Sequence, residues 1–295
     1  MKRAFIILNP AAGGGARRHE AAVIRAFAGH GWSAELHRTE RPGHGAELAR
    51  SAAERGEQCI VAMGGDGTVH DVANGILASG RDASLGVIAG GTGNDFAKLA
   101  GVDRRTPAGA VDIITAGKVR RFDVGRAGDE YFLNSLGLGF GAEVVRVRNA
   151  MPRLPGPVSY LVPVIYAFFT YLPPRCEVTG PDWRVRGALM LVECCNGTTA
   201  GGSYRFAPDA DPTDGYLDVC VVREVSLLRF CAAVPRVMRG THGALPEVAM
   251  FRAAALTLRS EDAPLILHLD GELRLRNNRE CRVKLERERL AVHVA

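Results

Sequence analysis

Three times in its first hundred or so residues the chain runs from a short apolar stretch through a glycine-rich turn into a helical pattern: "ILNPAAGGGARR", "VAMGGDGTVHDVANGI" and "LGVIAGGTGNDFAKLAG". This repetition constrains the fold more than any other feature, because parallel strands need a crossover and a helix is the usual one. The apolar runs "AFIIL", "AELH", "CIVAM" and "LGVIA" alternate with helical patterns in "ARRHEAAVIRAFAGHG", "GAELARSAAERG" and "VHDVANGILASG". The first domain, residues 1–122, is therefore expected to be a parallel sheet covered by helices on both faces. In its third helix Val69, Val72, Ala73, Ile76 and Leu77 make one apolar stripe at helical spacing. Gly75 weakens that helix, and the local sequence offers no reason for it.

In such a sheet ligands sit at the carboxyl ends of the strands. Glycines there permit positive φ and close backbone approach, and the following helix offers free N–H groups to an anion. Polyphosphate fits this chemistry. An aspartate beside phosphates repels them unless a cation lies between, so Asp66 reads as part of a magnesium network or as an acid/base group. "GDG" alone would equally make a plain turn or cap. The recurrence at Gly13-Gly14-Gly15 and Gly90-Gly91-Thr92-Gly93, the latter followed by Asn94-Asp95, favours a nucleotide phosphate and ribose site along one edge.

Beyond about residue 123 the pattern changes. "FDVGRAGDEYFLNSLGLG" reads as a hairpin around Ala127-Gly128-Asp129, and "GALMLVECCNG", "YLDVCVVRE", "AAALTLRS", "PLILHLDGELRL" and "ECRVKLERERLAVHVA" read as strands between turns. Helical patterns in this half are confined to 151–172 and 226–240. The second domain, residues 123–295, is expected to be an antiparallel β-sandwich, its last strand free to return to the first domain.

Several classes are excluded. With 47% hydrophobic and 23% charged residues over 295 positions, the chain is neither disordered nor fibrous. A net charge of +5 suits phosphate ligands or an anionic surface without requiring either. Seven cysteines without a CxxC spacing suggest reduced, buried thiols in the cytoplasm, not a disulfide framework or zinc site. "MKRAFIILNP" has too few apolar residues for a signal peptide and reads as the first strand. The run from Val158 to Leu172 is too short to span a bilayer and contains Pro163. There is no P-loop motif, and "GLGFGA" at 137–142 lies in the β-rich half, out of context for a dinucleotide fingerprint. His37, His44, Trp32 and Trp183 form no metal or stacking array, and there is no nucleic-acid signal.

The ordered set "NPAAGG", "GGDGTVHDVANG", "GGTGNDFAK", "NSLGLGFGAEV", "FAPDADPTDGYLDV" and "LDGE" resembles the bacterial diacylglycerol kinase family, relatives of sphingosine and ceramide kinases. The resemblance covers essentially the whole chain. It implies an ATP- and Mg2+-dependent lipid kinase with an α/β nucleotide domain, a β-sandwich domain and an active site in the cleft between them. Carried over residue by residue, it assigns nucleotide contacts to Gly65, Asp66, Gly67, Thr68, Val69, His70, Asp71, Thr92 and Asn94, with Thr39 and Asn9. It assigns a structural metal to the Asp214 carboxylate, with main-chain oxygens from Asp211 and Tyr216. Asp270 and Glu272 of "LDGE" match the catalytic base region, and Asp123 an acidic residue networked with Asp66.

The chemistry is consistent with these roles, since a lipid alcohol needs a carboxylate to take its proton while cations and donors stabilise the transferring phosphoryl. Either Asp270 or Glu272 is the base, with the resemblance favouring Glu272. The chain departs from the family at Thr213, where an acid is usual, which puts the metal in question, and at Lys98, where arginine is common. "DADPTDG" has its glycine at the seventh place, against the sixth of an EF-hand. The apolar segment 152–174, near Arg146, Arg148 and Arg153, reads either as a membrane-facing edge or as a buried connecting helix. The expected partners are a lipid substrate and the inner face of the membrane, contacted peripherally from the cytoplasm, with a homodimer as the default assembly. Diacylglycerol is the leading acceptor. The alternatives are phosphatidylglycerol or a sphingoid base as acceptor, an NAD-kinase-like enzyme, and a non-catalytic regulator.

Overall fold

A computed structural model describes residues 2–12, 19–102, 106–152, 158–275 and 278–295. Gly13, Gly14, Gly15 and Arg153, singled out above, lie outside the described residues. The chain divides into two compact units, Met1–Val124 with Glu286–Ala295, and Gly125–Leu285.

The first unit contains β1 (Arg3–Leu8), α1 (Glu20–Gly29), β2 (Ser33–Arg38), α2 (His44–Glu54), β3 (Cys59–Gly64), α3 (Asp66–Ser79), β4 (Ser84–Ala89), α4 (Asp95–Leu99) and α5 (Pro107–Ala116). Its strands pair in parallel in the order β4-β3-β1-β2. The end of the chain's final strand adds beside β4, also in parallel, through Ala291 and Val292. β3 is buried at every position, as a strand covered on both faces must be. The apolar stripe of α3 is buried throughout, and Gly75 finds its reason in the neighbouring helix. A Cβ there would lie 2.3 Å from the Ala46 carbonyl oxygen and 2.7 Å from Ala49 Cβ, so only glycine lets α2 and α3 approach so closely.

The second unit takes over within β5 (Val119–Ala127), which forms the expected hairpin with β6 (Glu130–Phe132). There follow β7 (Ser135–Gly139), α6 (Phe140–Ala150), α7 (Val158–Thr170), β8 (Arg175–Thr179), β9 (Arg184–Cys195), β10 (Leu217–Arg223), α8 (Leu227–Arg239), β11 (Val248–Ala253), β12 (Ala255–Ser260), β13 (Ile266–Leu269), β14 (Glu272–Leu275) and β15 (Glu280–His293). Two antiparallel sheets share β9. Its first part pairs with β8, which pairs with β12, and its second part pairs with β7 and β10. Gly187, at φ +144°, lies where β9 passes from one sheet to the other. The sandwich core includes Phe132, Leu136, Val178, Val192, Leu258 and Val283.

Helix α6 is a difference from the sequence reading, which had no helix there. Val144, Val145 and Val147 are β-branched and suggest a strand. However, Phe140, Val144 and Val147 recur at helical spacing and share one buried cluster, and Glu143 pairs with Arg146 three residues on. All seven cysteines are free and only Cys231 is exposed; burial pushes the Cys59 thiol up to about 12. No helix among the described residues is long and apolar enough to cross a membrane.

Candidate active site

In the first unit β1, β3 and β4 end side by side, and each is followed by one of the turns that stood out in the sequence. The glycines after β3 do not adopt the positive φ expected of them: Gly65 sits at φ −89° and α3 begins directly at Asp66. They are required for space instead. A Cβ on Gly64 would fall 2.3 Å from Thr68 Oγ1, and one on Gly91 would fall 2.5 Å from Gly65 Cα. The two turns thus touch backbone to backbone, and Gly90 N–H donates to the Gly64 carbonyl at 2.7 Å.

Among the residues of these two turns it is Asn94 that takes the left-handed conformation, at φ +53°. Its buried side chain closes the second turn by accepting from Gly91 N–H and donating to Gly91 O, each at 2.8 Å. Asp66 joins the turns: Oδ2 accepts Asn94 N–H at 2.7 Å and Oδ1 accepts Phe96 N–H at 3.4 Å. Burial pushes the Asp66 carboxyl up to about 6 and neighbouring Asp95 adds to this, against the lowering effect of the backbone N–H groups.

The other residues expected at the nucleotide divide by exposure. Val69 and His70 are buried, and Asn74 Nδ2 lies 3.4 Å from His70 Nε2 and donates to the His70 carbonyl at 3.0 Å. Asp71 packs against Gly45 of α2. Thr92 is exposed at the tip of the second turn. Thr68 Oγ1 is buried with no hydrogen-bond partner among the described residues. Asn9 Oδ1 accepts Ala11 N–H at 2.9 Å, and Thr39 N–H donates to Leu8 O at 2.9 Å, which places both at the ends of β1 and β2. Asp123, buried in β5, accepts Glu288 N–H at 2.7 Å. Of the first-turn N–H groups of α3, those of Thr68 and Val69 return to Gly65 O, leaving those of Asp66 and Gly67 outside the helix ladder.

In the second unit Asp270 and Gly271 of "LDGE" form the two-residue turn of the β13–β14 hairpin, at φ +50° and +83°. Its two carboxylates differ. Asp270 Oδ1 accepts Asn134 and Ser135 N–H at 2.8 and 3.1 Å, and Oδ2 accepts Leu133 N–H at 2.9 Å. Glu272, half-buried at the start of β14, has no hydrogen bond or ion pair among the described residues.

Next to this hairpin lies a pair that the sequence reading passed over. His268 Nε2 and Glu193 Oε2 are buried 3.4 Å apart. Burial pushes the imidazole down, but the Glu193 carboxylate and then Asp270 outweigh it, so His268 is shifted upward. The glycines of "GLGFGA" fit this pair: a Cβ on Gly137 would lie 2.1 Å from His268 Nε2, and Gly139 precedes α6 at φ +91°. A lone glutamate in the apolar run "GALMLVECCNG" was the available signal.

The residues expected at a structural metal lie before β10. Asp211 Oδ1 accepts Thr213 N–H at 3.0 Å and Thr213 Oγ1–H at 2.7 Å, and Asp214 Oδ1 accepts Tyr216 N–H at 2.9 Å. Asp214 Oδ2 is ion-paired with Arg252. A divalent cation needs several oxygen ligands with negative charge. Here the Asp211 main-chain oxygen accepts Asp214 N–H at 3.3 Å, the Asp214 carboxylate already faces a guanidinium, and Thr213 supplies no charge. The Asp214 carboxylate, the one charged ligand expected of this site, is thus already neutralised by a guanidinium, and the donor set fits a divalent cation poorly.

Comparison with known proteins agrees with the arrangement of both units. Residues 3–127 match the diacylglycerol kinase catalytic domain, and residues 134–288 the YegS C-terminal NAD kinase beta sandwich-like domain. A diacylglycerol kinase of Bacillus subtilis is 30% identical over 274 residues, 92% of this chain and 90% of that protein. A "Probable lipid kinase YegS-like" of Chromohalobacter salexigens is 34% identical over 233 residues, 78% of this chain and 74% of the other. Among solved structures, a diacylglycerol kinase from Bacillus anthracis superposes with a TM-score of 0.74 at 20% identity, over 100% of this chain and 97% of that one. An NAD kinase from Archaeoglobus fulgidus in complex with ATP gives 0.56 at 14% identity, over 99% and 93%. These two likenesses show the fold alone. The sequence matches go further, and by them the chain belongs to the diacylglycerol kinase and YegS-like family of lipid kinases, enzymes of phosphoryl transfer.

Proposed function

We propose that the protein transfers the γ-phosphoryl group of ATP, supplied as its magnesium complex, to the hydroxyl of diacylglycerol, giving phosphatidic acid and ADP. The observation that carries this reading is the likeness to the Bacillus subtilis diacylglycerol kinase across 92% of the chain. The geometry supports a division of labour. Phosphate oxygens would be received by the N–H groups of Asp66 and Gly67 and by Thr68 Oγ1, with Thr92 and Asn94 shaping the adjoining turn and Asn9 and Thr39 at the neighbouring strand ends. Asp66 acts as the tie between the turns, and Asp123 as an anchor for the final strand. Glu272, whose carboxylate has no partner among the described residues, is assigned as the base that takes the acceptor hydroxyl's proton as that oxygen attacks the γ-phosphorus. Asp270 holds residues 133–135 in place around it.

A lipid kinase must also meet its acceptor at a bilayer. Helix α7 buries Pro163 and Ala167 and half-buries Phe168, yet it exposes Leu161, Ile165 and Phe169, the last 70% exposed, and Leu172 just beyond it is 88% exposed. Phe168 packs on Phe230 of α8, whose Leu228 is 84% exposed. Arg236 and Arg239 of α8 are exposed without ion pairs among the described residues. Exposed apolar side chains on α7 and α8, with arginines on α8 that have no ion pair among the described residues, suit peripheral binding to an anionic leaflet.

Transfer of labelled γ-phosphate from ATP and magnesium, with a total bacterial lipid extract in one arm and NAD in another, tests this function. Label in phosphatidic acid is the expected result. Label in NAD alone would make the protein an NAD-kinase-like enzyme, and label in neither would leave a binding protein without the activity.

A further inference from the structure

Arg252 stands on β11 directly opposite Asp218 of β10, and its side chain returns over the loop that precedes β10. Besides its ion pair with Asp214, its Nε lies 3.6 Å from Asp218 Oδ1, and its guanidinium carbon lies 4.7 Å from the centre of the Tyr216 ring. Arg252 thus faces two aspartates at once, Asp214 and Asp218. Within the loop Asp214 N–H donates to Asp211 O at 3.3 Å.

A divalent ion at this place would have to displace the guanidinium from Asp214 and then sit beside it, with Thr213 contributing no charge to offset the repulsion. We propose that Arg252 takes the place of a structural cation in this loop: its guanidinium ties Asp214 to Asp218, and the 211–216 loop holds its conformation without metal. The planar fork of arginine suits this role, since it can face two carboxylates while stacking on Tyr216.

The test is thermal melting of the whole, nucleotide-free protein in EDTA and then in millimolar Mg2+ or Ca2+. The wild type is expected to melt at the same temperature in all three. Arg252→Met is expected to melt lower by roughly 2–4 °C, the order of shift that loss of one such tie gives in a chain of this size. Adding Thr213→Asp to Arg252→Met is expected to create a response to Mg2+ that the wild type lacks.

Two results would overturn the proposal. One is a wild-type melting temperature that falls in EDTA, recovers with Mg2+ and loses that response in Asp214→Asn, which places a metal in the loop. The other is Arg252→Met melting as the wild type does, whatever metals do elsewhere. Should Arg252→Met fail to fold, Arg252→Lys and the wild-type EDTA titration decide: the proposal requires no response to metal in either, and a response lost in Asp214→Asn contradicts it.

Discussion

The turns after β3 and β4 and the hairpin between β13 and β14 each place an aspartate beside a glycine, and in both places the aspartate anchors backbone. Asp66 takes the N–H groups of Asn94 and Phe96, and Asp270 those of Leu133, Asn134 and Ser135. The regions differ in what is left over. In the first, the groups without protein partners among the described residues are backbone N–H and the Thr68 hydroxyl, which are donors suited to phosphate. In the second it is the carboxylate of Glu272, an acceptor suited to a proton. A carboxylate engaged by several N–H groups holds a conformation, and one without partners is available for chemistry.

The comparison is most exposed at Asp270. Replacing it with alanine orphans three N–H donors, and at about 1 kcal/mol each the expected loss is about 3 kcal/mol by denaturant midpoint. A loss below about 0.5 kcal/mol, the scatter of an ordinary surface change, would break the idea that Asp270 is an anchor. The first region is tested by Gly91→Ala. Its Cβ meets the Gly65 backbone, which cannot swing aside as a side chain would, so a destabilisation of about 2 kcal/mol and a raised KM for ATP are expected. Unchanged values would mean that the two turns need no close contact.

The helices of the two units differ in the same manner: α3 buries its apolar stripe, and α7 leaves one uncovered. Phe169→Asp is expected to weaken sedimentation with anionic vesicles about tenfold, or about 1.4 kcal/mol, and equal binding would remove α7 from the membrane surface. A further effect concerns protons. Burial pushes the Asp66 carboxyl up from its ordinary 3.8 to about 6 in the folded chain. Between about 4 and about 6 the folded state therefore holds more protons than the unfolded state, and this group makes stability fall as pH rises through that window. Stability profiles of wild type and Asp66→Asn should differ in slope there, the variant lacking this part of the fall.

Much of this was legible because it rests on repeating patterns. Alternating strands and helices specified the parallel sheet, and regular turn residues the sandwich. The apolar stripe of α3 could be read position by position, since helical period and burial coincide. What the sequence hid depends on partners distant in the chain. Gly75 answers to Ala46 and Ala49 on another helix, and the glycines after β3 answer to Thr68 and to the turn after β4, not to any need for positive φ. Helix α6 was concealed by three valines, whose strand preference yields to packing around Phe140. The difference between Asp270 and Glu272, two residues apart, is set by residues 133–135, more than a hundred positions away in the sequence.

The most direct test of this account is phosphoryl transfer and thermal melting measured together on Glu272→Ala and Asp270→Ala. The account predicts that Glu272→Ala melts as the wild type does while its kcat falls by roughly 10²–10⁴, the usual contribution of a general base. Asp270→Ala should instead lose stability first. Transfer by Glu272→Ala at the wild-type rate, with Asp270→Ala stable but inactive, would reverse the two roles and contradict the account.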